Sequence, residues 1–277
     1  MDRIGTYHTR PFSIGRKNVS LIIKEGWKRH SIHTLFELDV TEGRKKLKQY
    51  AEKTGEKLSF TGWIITCAAK ALSEHKEINA FRKGRNKIMY FDDVDVPIPV
   101  ERTMHDEKIP MAYILRKTNE KTLPELTKEI RSVQKQKIQG SKQVLGDQFS
   151  LLEKIAFKSP MFLKNILLYI VQRSPKLRKK YMGTLGVTAV GMKGRLPGWI
   201  IPLGGTTTIL FLIGGITKKP GVIENDIIAV REYVHITLSV DHDLIDGGPL
   251  ARFLDRFMEL CENNMAFQNH KKKEHFF

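Results

Sequence analysis

The amino-acid sequence predicts a mixed α/β fold, and three observations carry that prediction. Near the C-terminus, Val234, Ile236, Leu238 and Val240 alternate with His235, Thr237, Ser239 and Asp241, the period of a strand with one buried face. Directly after it, Leu250, Phe253, Leu254, Phe257, Met258 and Cys261 recur at helical spacing. Elsewhere strand-like and helix-like runs mix without regular strand–helix–strand alternation. No glycine-rich phosphate loop precedes a helix, which argues against a nucleotide-binding fold. No Gly-x-Ser-x-Gly elbow is present, which argues against a serine hydrolase of the usual α/β type.

The 277 residues give ample length for a core, in one large domain or two small ones. With 41% hydrophobic and 28% charged residues, the composition is that of a soluble globular protein. The chain opens Met1-Asp2-Arg3 with no apolar run behind it, so no secretory signal is expected and a cytoplasmic location is. Cys67 and Cys261 fall on apolar helix faces and read as core thiols rather than a disulfide or catalytic pair. No close-spaced Cys/His array suggests structural zinc, and no metal is expected. The net charge of +17 comes from dispersed basic residues, with denser runs at Arg173 to Lys180 and Lys271 to Lys273. No nucleic-acid-binding motif accompanies them, so nucleic acid is not the expected partner. A solvated basic surface is the plain reading. A polyanionic small ligand or an anionic membrane face would also gain from it.

Taken in order, Ile14, Val19, Leu21, Ile22 and Ile23 with Trp27 predict a first helix beginning near Gly15-Arg16-Lys17. Leu35 to Val40 reads as a short strand before a charged helix, roughly Thr41 to Lys53. Phe60, Trp63, Ile64, Cys67, Ala68, Ala71 and Leu72 line one face of the next helix, and Ser59 suits its cap. Ile88 to Phe91, Val94 to Val100 and Ile109 to Leu115 read as strands, with Pro97 and Pro99 favouring an edge or bulge. Leu123, Leu126, Ile130 and Val133 mark another helix. Phe149 to Phe157 and Met161 to Val171 read as a helical pair, the second opened by Ser159 and Pro160. Met161 to Val171 is strongly apolar but too short to span a bilayer, which needs about 20 residues. Beside the basic run that follows, it suits burial, including burial between subunits, or a lid over a substrate channel. The competing reading is contact with a membrane surface through about 159–180. Thr206 to Ile213 and Val222 to Val230 read as strands, punctuated by Gly214-Gly215 and Pro220-Gly221.

The chemistry concentrates at Val240-Asp241-His242-Asp243-Leu244-Ile245-Asp246-Gly247-Gly248, between the alternating strand and the last helix. A rigid connection of this kind presents side chains to a ligand. His242 has the ordinary pKa of a general base, about 6.5, and Asp246 is placed four residues on to orient it or to hold the loop. Gly247 and Gly248 permit backbone angles or close approaches that other residues resist. A lone histidine at a strand end is more often structural, so the context decides.

The stretch His242-x-x-x-Asp246-Gly247 resembles the active-site motif of the acyltransferases of 2-oxo acid dehydrogenase complexes and of chloramphenicol acetyltransferase. The resemblance extends over Lys57 to Leu72, the Glu77-Ile78-Asn79-Ala80 turn, Asp93-Val94-Asp95-Val96, Lys121 to Leu126 and Val187-Thr188-Ala189-Val190-Gly191, in the family's order. It implies a chloramphenicol acetyltransferase-like, coenzyme A-dependent acyltransferase fold that forms trimers. It also implies one catalytic domain over residues 1–277, with an atypical helical insertion at about 138–182 and a basic tail at about 266–277. His242 is then the base, Thr188 stands where the family places an oxyanion-stabilising serine, and Arg16 is the implied partner of Asp246, holding the loop with Gly247. The histidine and the oxyanion-stabilising residue come from neighbouring subunits. Acyl-coenzyme A is the implied substrate, and no lipoyl attachment site is seen in the chain. Implied partners are copies of the chain, in a homotrimer or higher assembly of trimers, and a lipoyl-bearing protein.

Two departures stand out. Asp243 follows the histidine where the family usually has arginine, and Lys108-Ile109-Pro110-Met111 replaces a Gly-Leu-Ile-Val-Pro-Val-like run. Three readings follow: a free-standing acyltransferase, the acyltransferase core of a dehydrogenase complex that uses a lipoyl domain in trans, and a non-catalytic trimeric scaffold or membrane-associated protein. The absence of linkers favours the first over the second, and the set of His242, Asp246 and Thr188 counts against the third.

Overall fold

The computed structural model describes residues 5–104, 107–135, 159–191, 197–263 and 265–267. Helix α1 (Ile14–Gly26) starts where Ser13 Oγ accepts the backbone N–H of Arg16 at 3.4 Å. Strand β1 (Ser31–Asp39) and helix α2 (Thr41–Thr54) follow. Helix α3 (Phe60–Glu74) is capped as the sequence predicts, with Ser59 Oγ accepting from Gly62 N–H at 3.1 Å. Two antiparallel hairpins come next, β2 (Ala80–Lys83) with β3 (Lys87–Tyr90) and β4 (Val96–Met104) with β5 (Glu107–Leu115). Among the described residues β4 pairs with β5 alone, so Pro97 and Pro99 sit on an edge strand, where proline is tolerated. Helix α4 (Leu123–Lys135) buries Leu123, Leu126, Ile130 and Val133, the four residues whose spacing predicts it. Then come α5 (Met161–Arg173), α6 (Pro175–Met182), β6 (Leu185–Ala189), β7 (Ile209–Val222), β8 (Ile228–Asp241) and α7 (Gly247–Glu262).

The main sheet has the order β1-β8-β7-β6, with β6 parallel to β7 and the other pairs antiparallel. Val234, Ile236, Leu238 and Val240 of β8 enter a core with Phe211 of β7, Val187 of β6, α3, and Phe253 and Phe257 of α7. Burying each such large side chain contributes about 1.5–3 kcal/mol. Helix α2 lies against α3 through Gly43, where a Cβ would come within 2.2 Å of the Trp63 ring. Cys67 and Cys261 are free buried thiols inside this core.

Four expectations are corrected. The polar side of β8 is buried too: His235, Thr237, Ser239 and Asp241 are all inaccessible. As a central strand, β8 is covered on its second face, where Trp199 packs edge-on at 4.6 Å from His235. Val222 to Val230 is a reversal and not one strand. Glu224–Asp226 forms a single helical turn, with Asn225 and Asp226 at φ 60° and 58°, and Asn and Asp tolerate that left-handed region. Gly214-Gly215 and Pro220-Gly221 do not break β7, which passes the first pair through a register shift. Helix α5 has no buried residue within one chain, Phe162 being 67% exposed, which leaves burial between subunits or a lid as its expected role. Its first residue is Met161, and the capping position belongs to Pro160 rather than Ser159. The Phe149 to Phe157 segment lies outside the described residues. Among the described residues no helix is long and apolar enough to cross a membrane.

Candidate active site

His242 begins the turn between β8 and α7. Its backbone N–H donates to the His30 carbonyl at 2.8 Å, so the turn is pinned to the segment joining α1 and β1. The ring is 44% exposed, and its Nδ1 lies 3.7 Å from Asp246 Oδ1. That distance is an ion-pair contact with the protonated ring, longer than a hydrogen bond. Asp246 occupies the N-cap of α7 but gives its carboxylate to no backbone N–H. Its side chain is 86% exposed. The geometry suits a base that is accessible to a ligand and oriented by a carboxylate from the adjoining helix end.

The turn is held differently from what the resemblance implies. Arg16 is exposed on α1 and forms no ion pair with Asp246. Ten residues of helix, about 15 Å, separate Arg16 from the end of α1 that meets the turn. Arg29, just beyond that end, does the holding: its Nη1 donates to Asp241 Oδ2 at 2.7 Å, both side chains being largely buried. The other Asp241 oxygen accepts the Asp243 N–H at 3.3 Å, and the Asp241 carbonyl accepts from Leu244 and Ile245. Asp243 in turn meets His30 Nδ1 at 2.9 Å. That hydrogen bond, with the Asp243 charge, pushes the His30 pKa above its ordinary value. Gly247 meets neither condition that would require glycine: its φ is not positive, and nothing lies within 4 Å of a Cβ placed there.

Thr188 is half-buried in β6, level with Leu212 of β7 and through it with Thr237 of β8. His242 lies five residues past Thr237, roughly 17 Å along the strand direction at about 3.4 Å per residue. One chain therefore does not bring Thr188 and His242 together. The sequence singles out Asp241 and Asp243 as neighbours of His242 but gives no signal for Arg29. Arg29 and Asp241 are 212 positions apart and share no motif. A cavity of about 390 Å³ between α2, α3, α4 and the end of α7 is edged by Lys46, Lys53, Lys70 and Lys121. It contains no residue of the His242 turn.

The family profile described as "2-oxoacid dehydrogenases acyltransferase (catalytic domain)" matches residues 6–149 and 173–267. The lipoamide acyltransferase component of the branched-chain alpha-keto acid dehydrogenase complex of Bacillus subtilis (strain 168) is 26% identical over 234 residues, 83% of this chain and 46% of that protein. The dihydrolipoyllysine-residue succinyltransferase component of the 2-oxoglutarate dehydrogenase complex of Staphylococcus saprophyticus is 26% identical over 236 residues, again 83% of this chain and 46% of that protein. The chain thus spans under half the length of these relatives. The solved dihydrolipoamide acetyltransferase of Azotobacter vinelandii matches at TM-score 0.69 and 18% identity, covering 96% of this chain and 95% of that one. The cubic core of a pyruvate dehydrogenase multienzyme complex matches at TM-score 0.68 and 17% identity, with 96% and 95% coverage. At such identities the structural likeness shows a shared fold, while the profile match covers most of the sequence. The chain belongs to the 2-oxoacid dehydrogenases acyltransferase (catalytic domain) family.

Proposed function

We propose that the chain is the catalytic domain of a coenzyme A-dependent acyltransferase of a 2-oxo acid dehydrogenase complex. It exchanges an acyl group between coenzyme A and the thiol of a dihydrolipoyl group carried by another chain. The single observation that carries this reading is the accessible His242 ring, held 3.7 Å from Asp246 on a turn fixed by buried bonds. A free thiol has a pKa of about 8.5 and is mostly protonated at pH 7. His242 takes that proton as the sulfur attacks the thioester carbonyl. The tetrahedral intermediate collapses to the new thioester, and His242 returns the proton to the departing thiolate. No covalent bond to the enzyme forms. Thr188 retains the hydroxyl needed to donate to the oxyanion.

The relatives shift the weight from a free-standing enzyme to the complex reading, because each is a component of a dehydrogenase complex. They handle different acyl groups, so the acyl group is not assigned. In the Azotobacter vinelandii enzyme a serine, a histidine and, four positions further, an asparagine were investigated for their roles in the catalytic mechanism. Thr188, His242 and Asp246 stand here in the same order. The roughly 17 Å offset of Thr188 supports a site completed by a second copy in a trimer. The test is thiol release from a panel of acyl-coenzyme A donors with dihydrolipoamide as acceptor, for wild type and His242→Ala. Turnover in wild type, reduced about 10²–10⁴-fold in the variant, supports the base. Neither coenzyme A binding nor turnover across the panel would put the scaffold reading in front.

A further inference from the structure

Beside the His242 turn lies a second, strongly cationic feature that the proposed chemistry does not use. A cavity of about 370 Å³ opens between the β2–β3 hairpin, the end of α5, α6 and the His242 turn. Lys28, Arg29, Arg82, Arg85, Arg173 and Arg178 line it, against two carboxylates, Asp241 and Asp243. Six basic against two acidic side chains leave the lining at a net +4, with Asp241 paired to Arg29 and Asp243 to His30.

Arg178 is the informative residue. It is 4% exposed, its Nε donates to the Thr206 carbonyl at 2.7 Å, and its guanidinium lies 3.9 Å from the Phe81 ring centre. Its Nη2 is buried with no acceptor. Arg29 repeats the pattern: Nη1 and Nη2 are spent on Asp241 and Gln172, while its buried Nε has no acceptor. Burial first, and the Arg29 charge second, press the Arg178 pKa well below the ordinary arginine range, with Asp241 offsetting part of this. Two neighbouring buried guanidiniums with idle N–H groups cost stability unless an anion completes them.

We propose that this cavity is a binding site for the phosphate group of a small phosphorylated ligand, seated against Arg29 and Arg178 and screened by Arg82 and Arg85. A phosphate offers three terminal oxygens with several acceptor sites, and arginine forks match it better than lysine ammoniums do. The hairpin residues Arg82 and Arg85 are exposed and line the cavity, with Arg82 held by the Gly84 and Arg85 carbonyls, and exposed charges of this kind draw an anion in. The ligand's source is either coenzyme A itself, through its 3′-phosphate, or a separate phosphorylated effector.

The site is tested by binding alone, so it stands or falls apart from the acyltransferase reading. Inorganic pyrophosphate is titrated calorimetrically into the full chain at about 150 mM salt, where surface attraction is damped. The expected result is saturable binding, weakened at least tenfold in Arg82→Ala/Arg85→Ala and unchanged in Lys46→Ala/Lys53→Ala, which alters the other cavity by the same charge. Arg178→Gln abolishes it, with circular dichroism to verify folding. Displacement of pyrophosphate by coenzyme A but not by dephospho-coenzyme A assigns the phosphate to coenzyme A. Displacement by neither assigns it to another ligand. Absence of saturable binding, or equal weakening in both double variants, would overturn the proposal.

Discussion

Arg29 and Asp241 meet across 212 positions of sequence and fix the turn that carries His242. Removing one partner leaves a buried charge uncompensated, which typically costs about 3–5 kcal/mol. Arg29→Met is therefore expected to lower the urea unfolding free energy by that order, and Arg29→Met/Asp241→Leu to recover most of the loss. His30 supplies a pH signature of the same turn. Its pKa is raised by the Asp243 hydrogen bond and charge. The sign follows: this interaction stabilises the fold fully below the unfolded value of about 6.5, and the contribution is lost as pH rises through the higher folded value. An NMR titration should place the His30 midpoint above about 6.5, and Asp243→Asn should return it toward that value. An unchanged midpoint in the variant would remove Asp243 as the cause.

Among the elements, the helices with one apolar face were the legible ones. α3, α4 and α7 bury the residues whose spacing predicts them, Phe60 and Met258 only in part, because a periodic stripe records which side meets the core. The Ser59 cap was legible for a similar reason, since a cap is a local hydrogen bond. Features that depend on distant neighbours were not. Alternation in β8 suggests one buried face, but pairing on both edges and Trp199 above bury the other. Apolar content in α5 suggests burial between subunits or a lid, but not which, and within one chain Phe162, Ile166, Tyr169 and Ile170 are exposed. His242 and Asp246 are four residues apart on one turn and could be read together. Arg29 could not, and the arginine implied by resemblance, Arg16, sits at the far end of its helix. The α2–α3 contact gives a prediction at this scale. Gly43→Ala improves helix propensity by about 1 kcal/mol. Its new methyl would meet the Trp63 ring, though, and overpacking of this kind costs about 1–3 kcal/mol. The balance should be a net loss of stability, seen as a lower thermal midpoint. A gain would mean that Trp63 shifts freely.

At the scale of the whole molecule, the sheet order decides where the two halves of the proposed chemistry lie. Parallel β6 sets Thr188 level with Thr237, far back from the turn that carries His242. A single chain thus presents the proposed base at one place and the proposed oxyanion donor at another, as expected of a site formed between copies. Within such a site Thr188→Ser should retain turnover, and Thr188→Val should lose about 10²–10³-fold in kcat with coenzyme A binding kept, if the hydroxyl serves the oxyanion.

The most direct test mixes two inactive subunits. His242→Ala and Thr188→Val chains are purified separately, shown to be inactive, then unfolded together and refolded, and thiol release is measured. A shared site predicts recovered turnover, because some interfaces pair an intact His242 from one chain with an intact Thr188 from the other. Turnover no higher than that of the separate variants, in mixed assemblies verified by mass spectrometry, would contradict a site completed across subunits.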